Sequence, residues 1–260
     1  MSQTDQGYVK QTFLKKGLLQ ITFFHPKHNS LPGNLLVELK LAIDNASDNN
    51  EVQVIILQSG GDRTFCAGAS FDELLAIKEP QAGKTFFMGF ASVINACRKC
   101  SKLIIGRIQG KAVGGGVGVA SAVDYCLATK YAAIKLSELN LGIGPFVIGP
   151  AVTRKIGISG MSQLAINANT FQSAQWAKEK GLYADVFEDA ANLDAAVMEL
   201  ADYLIDTNPE ARQLLKKMFW EGCENWDKLL ETRAEMSGRL VLSEYTRNAL
   251  ARYSSHDSKS

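Results

Sequence analysis

The chain opens with two alternating stretches. Tyr8, Val9, Thr12 and Leu14, then Leu19-Gln20-Ile21-Thr22-Phe23-Phe24, predict two strands about a turn at Lys15-Lys16-Gly17. The run from His25 to Ser30 breaks the alternation, after which Leu35, Leu36, Leu39 and Ile43 recur at helical spacing. Val52 to Leu57 is continuously apolar and ends at Gly60-Gly61-Asp62. Its length and β-branching predict a strand buried on both faces. A short helix is predicted over 71–77, and Phe86, Phe90, Val93, Ile94 and Cys97 mark the buried face of a longer one. The theme then repeats. A strand is predicted over 103–108, a turn at Gly110, and Gly114-Gly115-Gly116 leads into a helix of small residues over 117–123. Further strands are predicted over 125–128 and 134–136. This alternation of strand and helix implies an α/β core. From Met161 onward the pattern is nearly all helical. Ser173 caps a helix over 174–180 that closes at Gly181, and Pro209 starts another. Leu214, Leu215, Met218, Phe219 and Trp220 give a C-terminal helix an apolar face, and the polar tail from Ser254 to Ser260 is expected to fray.

Composition narrows the class. With 28 Lys and Arg against 27 Asp and Glu in 260 residues, no basic face exists in bulk, which argues against nucleic acid as the main partner. The five cysteines, Cys66, Cys97, Cys100, Cys126 and Cys223, form an odd set that suits reduced thiols and a cytoplasmic setting. Cys97-x-x-Cys100 has no second pair at ligand spacing, so structural thiols are expected and no metal. The polar N-terminus and the lack of any long apolar run predict neither a signal peptide nor a membrane span.

Two places join a buried strand to a glycine turn and a helix: Phe65-Cys66-Ala67-Gly68-Ala69, and Gly110 through Gly114-Gly115-Gly116. Such turns leave backbone N–H groups free at a helix N-terminus, and two of them facing each other would bind an oxyanion. The plainer reading is close strand–helix packing. The second turn fits neither the dinucleotide fingerprint in register nor a P-loop. Glu138 lies between an apolar strand and Leu141-Gly142-Ile143. It is a candidate base with a raised pKa, or else a cap or surface ion-pair residue. Lys15, Lys16, Lys27 and His28 are candidate cations for a phosphate, or solvated loop charges.

Taken in order, Phe65 to Ala69, Gly110 to Gly118 and Ser137-Glu138-Leu139-Asn140-Leu141-Gly142-Ile143 resemble the motifs of the crotonase (enoyl-CoA hydratase/isomerase) superfamily. Pro26-Lys27-His28-Asn29-Ser30-Leu31 resembles its early loop, and Phe171 to Val186 its later helix and turn. The resemblance covers almost the whole chain. It implies a spiral of ββα units over 1–195 and a C-terminal helical region over 196–260 that helps form trimers or hexamers. It implies an acyl-CoA thioester as substrate, with coenzyme A part of that substrate and no separate cofactor. The backbone N–H groups of Ala69 and Gly115 would hold the thioester oxygen, and Glu138 would move the proton. Cys66, Ala67, Gly68, Phe71, Leu75, Gly114, Gly118, Gly142 and Phe146 would contact substrate, with Lys27 and His28 toward the nucleotide. Phe86, Phe87, Phe90, Ile143 and Val147 are expected in the acyl wall. The chain departs from the pattern at Gly118, where hydratases of the family usually carry a second glutamate, and at Ser70, where aspartate is common. A single carboxylate favours double-bond isomerisation over hydration. The alternative is an acyl-CoA binder with impaired catalysis.

Overall fold

The computed structural model describes residues 7–257. Strands β1 (Tyr8–Lys15), β2 (Gly17–Phe24), β3 (Val52–Ser59), β5 (Leu103–Ile108), β7 (Tyr125–Thr129) and β9 (Asp185–Phe187) form one sheet in that order. The first pair is antiparallel and every later neighbour is parallel. The continuous apolar run of β3 has its cause in two separate cores. Ile55 and Leu57 face α1 (Gly33–Asp48) through Leu35, Leu39 and Ile43. Val54 and Ile56 face α7 (Ala190–Ile205) through Leu193, Val197 and Ala201. A sheet covered on both sides cannot show polar alternation.

The second sheet is small and parallel: β4 (Thr64–Cys66), β6 (Lys111–Val113) and β8 (Ile134–Lys135). Each turn of the chain lays one strand in the large sheet, one in the small sheet, and then a helix. The turns are β3–β4 with α2 (Phe71–Ala76) and α3 (Pro80–Lys99), β5–β6 with α4 (Gly115–Ala122), and β7–β8 with α5 (Gly149–Ile166). This is the expected spiral of ββα units, and it stacks the carboxyl ends of β4, β6 and β8 side by side.

The second half corrects several expectations. The run expected to be helical from Met161 begins earlier, at Gly149. It breaks at Gly157 (φ 68, ψ 169) and is later interrupted by β9. The strand expected over 134–136 is two residues long. Ser173 does cap α6 (Ala174–Glu179), accepting from the Trp176 amide at 3.1 Å. Then come α8 (Pro209–Phe219), α9 (Trp226–Leu240) and α10 (Glu244–Asp257), whose backbone remains helical past Ser254, where fraying was expected. Residues 258–260 of that tail lie outside the described residues.

In α8 most of the apolar face turns outward. Of its expected apolar face only Trp220 is buried, while Leu214, Leu215, Met218 and Phe219 are exposed. The buried side chains are Arg212 and Lys216. Acceptors outside the helix explain which side turns inward. Arg212 satisfies the Leu204, Ile205 and Thr207 carbonyls at the end of α7. Lys216 Nζ meets Asp124 Oδ2 at 2.6 Å, both side chains being 3% exposed. Asp124 also accepts from the Ile104 amide and Trp220 Nε1. A buried carboxylate stripped of its cation is costly. Lys216→Met is therefore expected to lower unfolding free energy by about 3–5 kcal/mol in denaturant titration; a loss below 1 kcal/mol would show that Asp124 finds sufficient compensation elsewhere.

Candidate active site

The carboxyl ends of the three short strands border one cavity of about 940 Å³. After β4, the segment Ala67–Ala69 is held by the loop that starts at Pro26. Ala67 N donates to the His28 carbonyl at 3.2 Å, and Leu31 N donates to the Gly68 carbonyl at 2.8 Å. That loop takes left-handed backbone at His28 and Asn29 (φ 51 and 55). The Asn29 side chain fixes it by donating to the Gly60 and Thr64 carbonyls at 2.8 and 2.7 Å. Ser70, the departure noted in the sequence, is the N-cap of α2, its hydroxyl accepting from the Glu73 amide.

After β6 comes Gly114, with φ 52. Its amide donates to the Lys135 carbonyl, tying the second strand end to the third. Gly115 follows as the first residue of α4, where an amide has no acceptor within its own helix. Among the described residues the Ala69 amide also has no protein acceptor. Both border the cavity. The positive end of the α4 dipole adds to their pull on a negative oxygen.

After β8, Glu138 opens a short 3-10 turn, Glu138–Leu141, closed by left-handed Gly142 (φ 78). Asn140 anchors the turn by donating to the Ala168 carbonyl and Asn169 Oδ1. The Glu138 carboxylate lies against Gly114: a Cβ there would stand 3.1 Å from Oε1. Oε2 is buried with no hydrogen-bond partner. Loss of hydration pushes the Glu138 pKa up to about 7.

Of the expected site residues, Lys27, His28, Ala67, Gly68, Ala69, Phe71, Leu75, Gly114, Gly115, Glu138 and Phe146 border the cavity, as do Phe86, Phe87, Phe90, Ile143 and Val147. Cys66, Gly118 and Gly142 do not. Cys66 sits behind the wall, its thiol pushed up to about 12 by burial. Gly142 shapes the turn and packs against Tyr245 and Thr246 of α10. Gly118 is covered by Ile148: a Cβ at 118 would stand 2.4 Å from Ile148 Cγ2 and 2.7 Å from its Cβ. Lys27 is paired with Asp72. Lys15 is paired with Asp202, and neither Lys15 nor Lys16 borders the cavity. Lys135, Phe171, Ile148 and Ser237 border it without having been singled out. Their membership depends on strand register and long-range contact, which no local motif carries. Among the described residues no group of three or more His, Cys, Asp or Glu stands close enough to hold a metal, and no helix is long and apolar enough to cross a membrane.

Two backbone donors beside one buried, uncompensated carboxylate make a site suited to proton transfer next to a polarised carbonyl. A family model described as enoyl-CoA hydratase/isomerase matches residues 14–255, and the chain belongs to that family. It is 32% identical over 200 residues to the mitochondrial methylglutaconyl-CoA hydratase of Mus musculus, a match covering 75% of this chain and 63% of that protein. It is 27% identical over 202 residues to the peroxisomal Delta(3,5)-Delta(2,4)-dienoyl-CoA isomerase of Arabidopsis thaliana, covering 72% of this chain and 71% of that one. The enoyl-CoA hydratase structure from Bacillus halodurans superposes with a TM-score of 0.87 at 21% identity, covering 94% of this chain and 99% of that one. That likeness establishes the crotonase fold.

Proposed function

We propose that the chain is an acyl-CoA enzyme that shifts a carbon–carbon double bond, converting a 3-enoyl-CoA to a 2-enoyl-CoA. The observation that carries this reading is Ile148 seated over Gly118, which leaves Glu138 as the carboxylate set against Gly114, while the other carboxylate bordering the cavity among the described residues, Asp72, is paired with Lys27. The thioester oxygen accepts from the Ala69 and Gly115 amides. Glu138 takes a proton from C2, and the electron pair moves onto the thioester oxygen as an enolate. Glu138 then returns the proton at C4, the double bond settles between C2 and C3, and no other reactant is consumed. A carboxyl group with a pKa of about 7 serves both halves, because it gains and releases a proton with similar ease near neutrality.

The acyl chain lies against apolar residues such as Phe71, Phe87, Phe90 and Phe146, with the nucleotide toward Lys27 and His28. Coenzyme A arrives as part of the substrate, with no further cofactor. The exposed Leu214, Leu215, Met218 and Phe219 in the 196–260 region support a homotrimer or hexamer, since an apolar face of this kind suits a subunit contact. The five free, buried cysteines support a reducing compartment such as the cytoplasm.

The test is direct competition between a 3-enoyl-CoA and a 2-enoyl-CoA, with products resolved by chromatography. Isomerisation is expected to exceed hydration. Faster hydration would overturn the assignment, and bound but unconverted esters would make the chain an acyl-CoA binder instead.

A further inference from the structure

The small sheet presents a second chemical feature beside the proposed reaction centre. Lys111 and Val113 alternate onto one face of β6, opposite the buried Ala112. Lys135 is in register with Val113 on the neighbouring strand, while its own neighbour Ile134 is buried. Lys111 and Lys135 thus share a face, and both ammonium groups stand over the Phe171 ring, 5.1 and 5.0 Å from its centroid. Val113, Lys135 and Phe171 all border the cavity. Among the described residues neither lysine has a carboxylate partner, whereas Lys27, which also borders the cavity, is already paired with Asp72. Two like charges gathered on one ring repel each other, and an anion between them relieves that repulsion.

We propose that Lys111 and Lys135 bind a carboxylate at the far end of the acyl chain, so that the preferred substrate is the CoA monothioester of a dicarboxylic acid. This rests on the acyl-CoA reading above. Position favours the acyl carboxylate over the phosphates of coenzyme A. Lys135 is one strand spacing, about 4.8 Å, from Val113, and Gly114 and Gly115 follow directly. A lysine on a four-carbon stem there reaches a group a few carbons from the thioester. The phosphates lie beyond the whole cysteamine, β-alanine and pantoate arm.

The test is calorimetric binding of saturated esters that cannot react: glutaryl-CoA, pentanoyl-CoA and S-glutaryl-pantetheine, which lacks the phosphates. The wild-type protein is expected to prefer glutaryl-CoA over pentanoyl-CoA. Lys135→Met should reduce that preference about tenfold to a hundredfold, the range for a hydrogen bond to a charged group. Lys111→Met should reduce it in the same direction, and Lys135→Arg should retain it. The Lys135→Met loss should persist with S-glutaryl-pantetheine. Equal weakening of both CoA esters, with the effect gone from the pantetheine ester, assigns the lysines to the phosphates and overturns the proposal. Absence of any preference in the wild type overturns it as well. Because the readout is affinity, a carboxylate preference without turnover leaves this inference standing while the isomerase reading falls, and isomerisation without a preference does the reverse.

Discussion

Glu138→Gln is expected to lower kcat by about a hundredfold to ten-thousandfold, the usual contribution of a positioned acid–base group, and at the same time to remove a pH-dependent loss of stability. The second effect follows from the raised pKa. Burial lifts Glu138 from the ordinary value of 4.5 to about 7, so between those pH values the folded chain holds a proton that the unfolded chain has lost. Stability of the wild type therefore falls as pH rises through that window and is level above it. The Gln variant has no such slope. Relative to wild type it should gain roughly 2–3 kcal/mol between pH 4.5 and 7.5, or about 5–10 °C in Tm at this chain length. In the wild type, kcat/KM for a 3-enoyl-CoA should rise with pH and level off above about 7, because the carboxylate form abstracts the proton. Parallel Tm curves for the two proteins would refute the buried, uncompensated carboxylate. Full activity in Glu138→Gln would remove it from the proton transfer.

Trading catalysis for stability at one position fits how the site is built. Glu138 Oε2 lacks a partner although it is buried, a cost that folding alone does not explain. The neighbouring turn is over-determined by Asn140 and Gly142, so the strain of that placement is carried by the surrounding structure.

How much of this was legible in the sequence differs by element. The large sheet was legible because β3 and β5 are covered on both faces and so read as unbroken apolar runs. Of the small sheet only β8 was legible, as the strand expected over 134–136; β4 and β6, three residues each, are too short to show a period. Their neighbouring glycines were visible as turns, and the resemblance supplied their role. Lys135 was missed because its place beside Val113 is fixed by register between segments about twenty residues apart. The apolar face of α8 was legible, but not the side to which it turns. Its apolar spacing was plain, but the burial of Lys216 is decided by Asp124, far away in sequence. Gly118 was noticed as a missing carboxylate, whereas the side chain occupying its space, Ile148, emerged only with the contact between α4 and the start of α5.

That contact sets the strongest test of why the site carries one carboxylate. Gly118→Glu on its own is expected to fail as a route to hydration. The new Cβ would stand 2.4 Å from Ile148 Cγ2, in space that Ile148 already fills. Overpacking of this kind costs about 1–3 kcal/mol, and a carboxylate forced into the apolar wall adds to it. Tm should fall by about 5–10 °C or more, with no gain in hydratase activity. Ile148→Ala is insufficient relief, because Ile148 Cβ itself would be 2.7 Å from the added atom; Ile148→Gly clears it, its Cα standing 3.7 Å away. The pair Gly118→Glu with Ile148→Gly should therefore be more stable than the two separate losses add up to, the signature of two residues sharing one space. It should also place a second carboxylate within reach of a water beside Glu138, and so raise the ratio of hydration to isomerisation measured on the two enoyl-CoA isomers. Additive stability losses would mean that the two residues do not compete for one volume. An unchanged product ratio in a folded double variant would mean that the second carboxylate alone does not set the reaction.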